Sequence, residues 1–167
     1  MNDYTIRPYK AGEASYVSYL QMRFYESVFG FNESFEHYIL AAMAQFTVSP
    51  DTGKLWVALD GDKIIGSIAI VKAERNSAQL RWYFVEEQYH GKGIGTKLMD
   101  TALEYCNEQG FAHVFLWTAD FLDGARRMYE RYGFKPTERK SNSQWSKIAL
   151  TEERWDLPLI LYRSKSY

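Results

Sequence analysis

The stretch Tyr89-His90-Gly91-Lys92-Gly93-Ile94-Gly95-Thr96 carries the residue types best suited to holding a ligand. Three alternate glycines let the backbone come close to another molecule, and Lys92 adds a positive charge. If a helix begins here, its first amides and the positive end of its dipole form a site for phosphate. Glycines at this spacing also fit a plain tight turn, so the flanking segments decide between the two readings. Upstream, Leu80-Arg81-Trp82-Tyr83-Phe84-Val85 is rich in aromatic and β-branched residues, which suit a half-buried strand. Downstream, Ile94, Leu98, Ala102 and Cys106 recur every four residues with Met99 and Leu103 beside them, giving a helix one apolar face. A strand, a glycine turn with a lysine, and a helix together point to an anionic ligand.

The elements that position this turn follow from punctuation and periodicity. Tyr4-Thr5-Ile6-Arg7 reads as a short strand, and Ala11 to Phe29 as a helix closed by Gly30. Asn32 can cap a second helix, with Phe35, Tyr38, Ile39, Ala42 and Phe46 at helical spacing. Strands at Lys54–Leu59 and Lys63–Lys72 are joined by Asp60-Gly61-Asp62, a hairpin turn. Then come a central strand Ala78–Val85, a helix Gly93–Gln109, a strand His113–Thr118 and a helix Leu122–Tyr132 stopped by Gly133. Strands near Lys135–Lys140 and Glu153–Leu161 close the chain. Strands dominate early and strand–helix units late, so the expected class is α/β, an α+β mixed sheet with helices on its faces.

Composition narrows the function. The 167 residues are the size of one ordinary domain, expected to span 1–167. A formal net charge of −1 offers no basic face for nucleic acid. No apolar run approaches the length of a membrane span, and no signal-peptide pattern opens the chain, so a cytoplasmic enzyme without a membrane partner is expected. His37, His90 and His113 show no metal-ligand spacing, and no metal is expected. The single cysteine, Cys106, falls on the apolar helix face as a core residue. Among phosphate ligands, a dinucleotide loop wants G-x-G-x-x-G, whereas Gly91, Gly93 and Gly95 lie two apart and Thr96 follows; Asp120 past the next strand keeps that reading open. The loop of nucleoside-triphosphate enzymes needs a spacing this run lacks.

Val85 through Met99 resembles the pyrophosphate loop of the GNAT acetyltransferases, Arg/Gln-x-x-Gly-x-Gly/Ala after a strand. It departs from the family at His90, where Arg or Gln is usual; a histidine also donates to phosphate, with a charge that depends on pH. Gly124 through Phe134 is similar to the family's closing helix, Ala-x-x-x-Tyr-x-x-x-Gly-Phe, with Leu122 where an Asn is usual. Leu116-Trp117-Thr118, Trp145 and Trp155-Asp156-Leu157 extend the likeness to the acetyltransferase half of bacterial helix-turn-helix/acetyltransferase fusions. The resemblance covers nearly the whole chain. It implies the GNAT acyl-CoA N-acyltransferase fold, in which two central parallel strands splay apart, and acetyl-CoA as cosubstrate.

It also implies roles. The backbone from Gly91 through Thr96 (Gly91, Lys92, Gly93, Ile94, Gly95, Thr96), preceded by His90, holds pyrophosphate, and Phe84 and Val85 hydrogen-bond the pantetheine arm. Tyr129 takes the place of the general acid, its phenol near pKa 10 matched to a thiolate of similar basicity; it also fits a plain core aromatic. The base that deprotonates the amine is open among Glu87, Asp120 and Glu36, each of which also fits a solvated surface charge. Tyr25, Glu26, Phe29, Phe31, Glu33, Phe35 and Glu36 mix rings with carboxylates, which suits a cationic acceptor, with Tyr25 and Glu36 as its candidate contacts; ordinary core packing is the competing reading. The expected reaction is transfer of acetyl to a primary amine of a small molecule or peptide, by direct attack in a ternary complex. The alternatives are a non-catalytic acyl-CoA-binding or regulatory domain and a nucleotide-dependent oxidoreductase. An exposed sheet edge makes a homodimer an open expectation.

Overall fold

The computed structural model describes residues 3–159. In chain order these form β1 (Tyr4–Pro8), α1 (Glu13–Phe29), α2 (Glu33–Val48), β2 (Gly53–Asp60), β3 (Lys63–Lys72) and β4 (Ser77–Val85). There follow α3 (Ile94–Glu108), β5 (His113–Ala119), α4 (Asp123–Tyr132), β6 (Lys135–Asn142) and β7 (Leu150–Pro158). The strands make one seven-stranded sheet in the order β1-β2-β3-β4-β5-β7-β6. Among the described residues, only β4 and β5 run parallel. The mixed sheet with flanking helices is the fold the sequence suggests.

Period-two alternation shows in β2. Trp56 and Ala58 enter the core shared with α3, whereas Leu55, Val57 and Leu59 face α1 and α2. On α3, Ile94, Leu98, Met99, Ala102, Leu103 and Cys106 are all buried, as the four-residue spacing predicts. The expected last strand, Glu153–Leu161, begins earlier: β7 starts at Leu150 and ends at Pro158, which cannot donate to a ladder. Residues 160 and 161 of that expectation lie outside the described residues.

The sheet opens in the middle. β4 pairs with β5 only through Ser77, Ala78 and Gln79, against His113, Val114 and Phe115. Beyond Gln79 the strands part, while β5 stays paired with β7 along its whole length. At the parting, β4 carries a bulge opposite β3, where the register shifts between Ser67 and Ala69. Trp82 sits there in the left-handed region at φ 48°. A bulge adds one residue to one strand and bends it, which turns β4 from its parallel neighbour. Buried Ser67 secures the bend by donating its Oγ hydrogen bond to the Trp82 carbonyl at 2.6 Å. Among the described residues, no helix is long and apolar enough to cross a membrane.

Ser67→Ala leaves the bulge carbonyl without this donor. We expect a loss of about 1–3 kcal/mol, a fall of roughly 2–10 °C in Tm by calorimetry.

Candidate active site

The glycine turn sits where β4 gives way to α3. A short 3₁₀ turn at Glu87–Tyr89 leads into it, and Gly91 and Gly93 take φ of 75° and 81°. A Cβ at either would meet nothing within 4 Å, so conformation rather than crowding demands glycine there. The surface above both is therefore open. Lys97 is the first residue of α3 to bond back, its amide reaching the Gly93 carbonyl at 3.0 Å. The amides of Ile94, Gly95 and Thr96 lie in the first turn, where a helix offers no acceptor. Gly95 is different: a Cβ there would stand 2.5 Å from the Tyr83 hydroxyl. Tyr132 of α4 clamps the same turn, its one hydroxyl hydrogen shared between the Asp100 carboxylate at 2.5 Å and the Thr96 carbonyl at 3.1 Å.

The His90 ring reaches back to the end of β4. Its Nε2 lies 2.7 Å from the Val85 carbonyl, tying the glycine turn to the end of β4. In this structure the ring is engaged with backbone, and the Val85 carbonyl has one partner. Phe84 pairs with Ser67 of β3. Lys92 stacks its ammonium over the Tyr89 ring, 4.8 Å from the centroid.

The parting of β4 and β5 forms a cleft of about 850 Å³, counting its open mouth. Tyr83 of β4, Thr118 of β5, Tyr129 of α4, Tyr25 of α1, Trp145 and Glu152 are among its lining. Tyr129 is buried, with its ring against Tyr83, Phe134 and Trp155. Burial, with some help from Tyr83 and Tyr25, holds its phenol well above the ordinary 10. The phenol therefore keeps its proton throughout the neutral range. Burial likewise pushes Tyr25 and Tyr83 up to about 12.

Tyr25 stacks against Phe31 at 5.1 Å and meets Phe35 edge-on at 4.8 Å, within a ring cluster that includes Trp145. Asn32 fixes the cluster: its Oδ1 caps α2 by accepting from Ser34 N at 3.0 Å, and its own amide donates to the Trp145 carbonyl at 2.8 Å. Rings and core packing are therefore both present, and the two readings of this segment describe the same residues. Among the carboxylates, Glu36, Glu87 and Asp120 are exposed and none lines the cleft. The structure does not bring Glu36 to Tyr25 in this lining, nor Glu87 to Tyr129, because Glu36 lies on the outer face of α2 and Glu87 on the 3₁₀ turn beyond β4. No group of three His, Cys, Asp or Glu among the described residues could hold a metal.

The arrangement has known counterparts. A model of the acetyltransferase (GNAT) family matches residues 16–134. The chain belongs to this GNAT family. N-acetyltransferase 8F1 of Rattus norvegicus is 31% identical over 93 residues, which are 53% of this chain and 42% of that protein. N-acetyltransferase 8B of Homo sapiens is 26% identical over 98 residues, covering 56% of this chain and 43% of that protein. The chain thus spans less than half the length of these curated relatives. Among solved structures, a GNAT acetyltransferase of Staphylococcus aureus superposes with a TM-score of 0.77 at 21% identity, over 93% of this chain and 99% of that one. The yncA protein of Salmonella typhimurium, solved with its cofactor acetyl-CoA, superposes at 0.71 with 14% identity over 95% of each chain. These last two likenesses show the GNAT fold.

Sequence reasoning missed Gln21, Thr118 and Glu152 in this GNAT cleft. Gln21 and Thr118 left no signal, being single polar residues in ordinary helix and strand patterns. Glu152 left none either: it stands among Thr151, Glu153, Arg154 and Asp156 in a strand of mixed charge. For the glycine turn, Gly93→Ala keeps the space but strains the backbone. We expect a loss of about 1–2 kcal/mol, read as a drop of roughly 2–8 °C in Tm with the circular dichroism spectrum unchanged.

Proposed function

We propose that the protein is an acetyl-CoA-dependent N-acetyltransferase acting on a primary amine by direct attack in a ternary complex. One observation carries this reading: the gap between β4 and β5 has the open glycine turn beside it and the Tyr129 phenol in its lining. The residues fit the cosubstrate. The uncrowded positions of Gly91 and Gly93 and the acceptor-free amides of α3 suit a pyrophosphate, with Lys92 and Lys97 adding charge. The stretch of β4 beyond Gln79 has no strand partner on its β5 side, which suits an extended amide-bearing arm. Bound there, acetyl-CoA supplies an acyl group activated as a thioester.

The chain's own groups do the rest. The cleft brings the amine to the thioester carbon, so that the C–N bond forms as the C–S bond breaks. Tyr129, protonated across the neutral range, holds the proton that the leaving sulfur takes, and solvent restores it. The amine loses its proton toward the cleft mouth. Glu87, exposed beyond β4, can serve as base only through water, since it is absent from the lining. A second reading, a non-catalytic acyl-CoA-binding domain, is favoured by His90, whose ring is bound to Val85, and by Leu122, which offers no side-chain cap to α4.

Thermal shift tests the cosubstrate. Acetyl-CoA at a hundred times its Kd should add about 2.7 kcal/mol, raising Tm by roughly 5–10 °C, whereas NAD and ATP should not. No shift with acetyl-CoA overturns both readings. Tyr129→Phe separates them: we expect the melt and the acetyl-CoA shift to be kept while kcat, followed by thiol release, falls roughly 100-fold or more. Unchanged turnover removes Tyr129 from the reaction. Binding of acetyl-CoA with no thiol release across a broad set of amines supports the non-catalytic domain.

A further inference from the structure

Strand β7 carries two consecutive carboxylates, both buried: Glu152 is 7% exposed and Glu153 0%. Neighbours on a strand face opposite sides of the sheet, and these two meet different surroundings. Glu153 meets two guanidinium groups. Arg126 Nε of α4 lies 3.0 Å from its Oε1 and Arg139 of β6 lies 3.5 Å from its Oε2. Its charge has a structural counterpart.

Glu152 lines the cleft, and its company is thinner. Asn142 Nδ2 donates to Oε2 at 3.1 Å, and Lys140 Nζ stands 3.8 Å from the same oxygen. That lysine is half exposed and holds its ammonium 4.2 Å from the centre of the Trp117 ring. Both contacts fall on one oxygen, and among the described residues none is made by Oε1. Removing a carboxylate from water is costly unless a cation and hydrogen bonds replace the lost hydration. In the same lining, Thr118 Oγ1 and Gln21 Nε2 are buried with no hydrogen-bond partner. Three residues of one lining therefore carry polar groups with unused capacity.

The remaining walls define what fills it. Tyr25, Phe35, Tyr38 and Trp145 present rings, which suit an apolar body and attract a cation to their faces. Arg81, on the β4 wall, bonds Tyr38 Oη at 3.2 Å and stacks on Tyr38 and Trp82. Its positive charge repels an ammonium from that side and leaves Glu152 as the attractive pole. We infer that the acceptor is a cationic amine with an aromatic or apolar body, whose ammonium group is anchored by Glu152. This inference rests on the acetyl-transfer reading and names its acceptor class. Glu152 thereby takes the part the sequence assigned to Glu36.

The test uses N,N-dimethyl-2-phenylethylamine, which carries the ring and an N–H⁺ but forms no stable acetyl product. Its neutral counterpart is 2-phenylethanol. Titration calorimetry in saturating CoA should show the amine binding at least about tenfold more tightly than the alcohol. Glu152→Gln should weaken the amine by about tenfold or more and leave the alcohol nearly unchanged, while Glu152→Asp, with the charge kept, should fall between. Equal binding of amine and alcohol by the unaltered protein overturns the inference, whether or not the variants fold. An unchanged amine affinity in a folded Glu152→Gln protein overturns it too. The acetyl-CoA thermal shift separates the two failures: if it is present without amine preference, only the acceptor class falls; if it is absent, the acetyl-transfer reading falls with it.

Discussion

The site exists because β4 and β5 stop pairing after three residues. Parallel neighbours in a sheet otherwise hydrogen-bond along their length, so their separation needs a cause and a support. The cause is the extra residue at Trp82, and the support is the Ser67 hydroxyl that satisfies the bulge carbonyl. On the far side, β5 is held to β7 without interruption, so the opening falls on one seam. The glycine turn follows at the end of the strand that leaves, and the His90 ring links turn to strand through the Val85 carbonyl. Backbone irregularity, rather than any one side chain, brings the cradle and the cleft together.

Within that seam the polar groups divide by how they are neutralised. Glu153 has two arginines and belongs to the frame. Glu152, Thr118 and Gln21 belong to the cleft lining and retain bonding capacity. The phenols of Tyr25, Tyr83 and Tyr129 are held protonated by burial, so they act in neutral solution as donors and as ring surface. The carboxylate is thus the negative pole of a lining whose one cation among the described residues, Arg81, stands on the opposite β4 wall amid rings and neutral groups.

Much of this was legible in the residue order. The four-residue apolar spacing of α3 and the Asp60-Gly61-Asp62 turn each report a local preference that the tertiary structure reinforces. The glycine turn was readable because Gly91 and Gly93 answer to φ, a property of the backbone itself. The carboxylates were not readable. Glu36, Glu87 and Glu152 look alike in one dimension, and which of them meets the cleft depends on strand register and on the face of a helix. The same holds for His90, whose partner is a carbonyl five residues back, reached only because the chain doubles around the turn. Long-range register carries that information, and local pattern does not.

Gly95 joins two parts of the molecule that lie on different elements, the start of α3 and the strand β4. A Cβ there meets the Tyr83 hydroxyl oxygen at 2.5 Å, but the Tyr83 ring carbon behind it at 3.6 Å and the Met128 methyl at 3.4 Å. The obstruction is therefore a single oxygen atom. Alanine at 95 requires the Tyr83 hydroxyl to shift, whereas alanine at 95 and phenylalanine at 83 fit without that displacement. The two positions form an epistatic pair, and the order of substitution matters: a lineage can pass through phenylalanine at 83 first, but alanine at 95 arriving alone meets a barrier. A residue of the helix start and a residue of the cleft wall are thereby bound to a common evolutionary path.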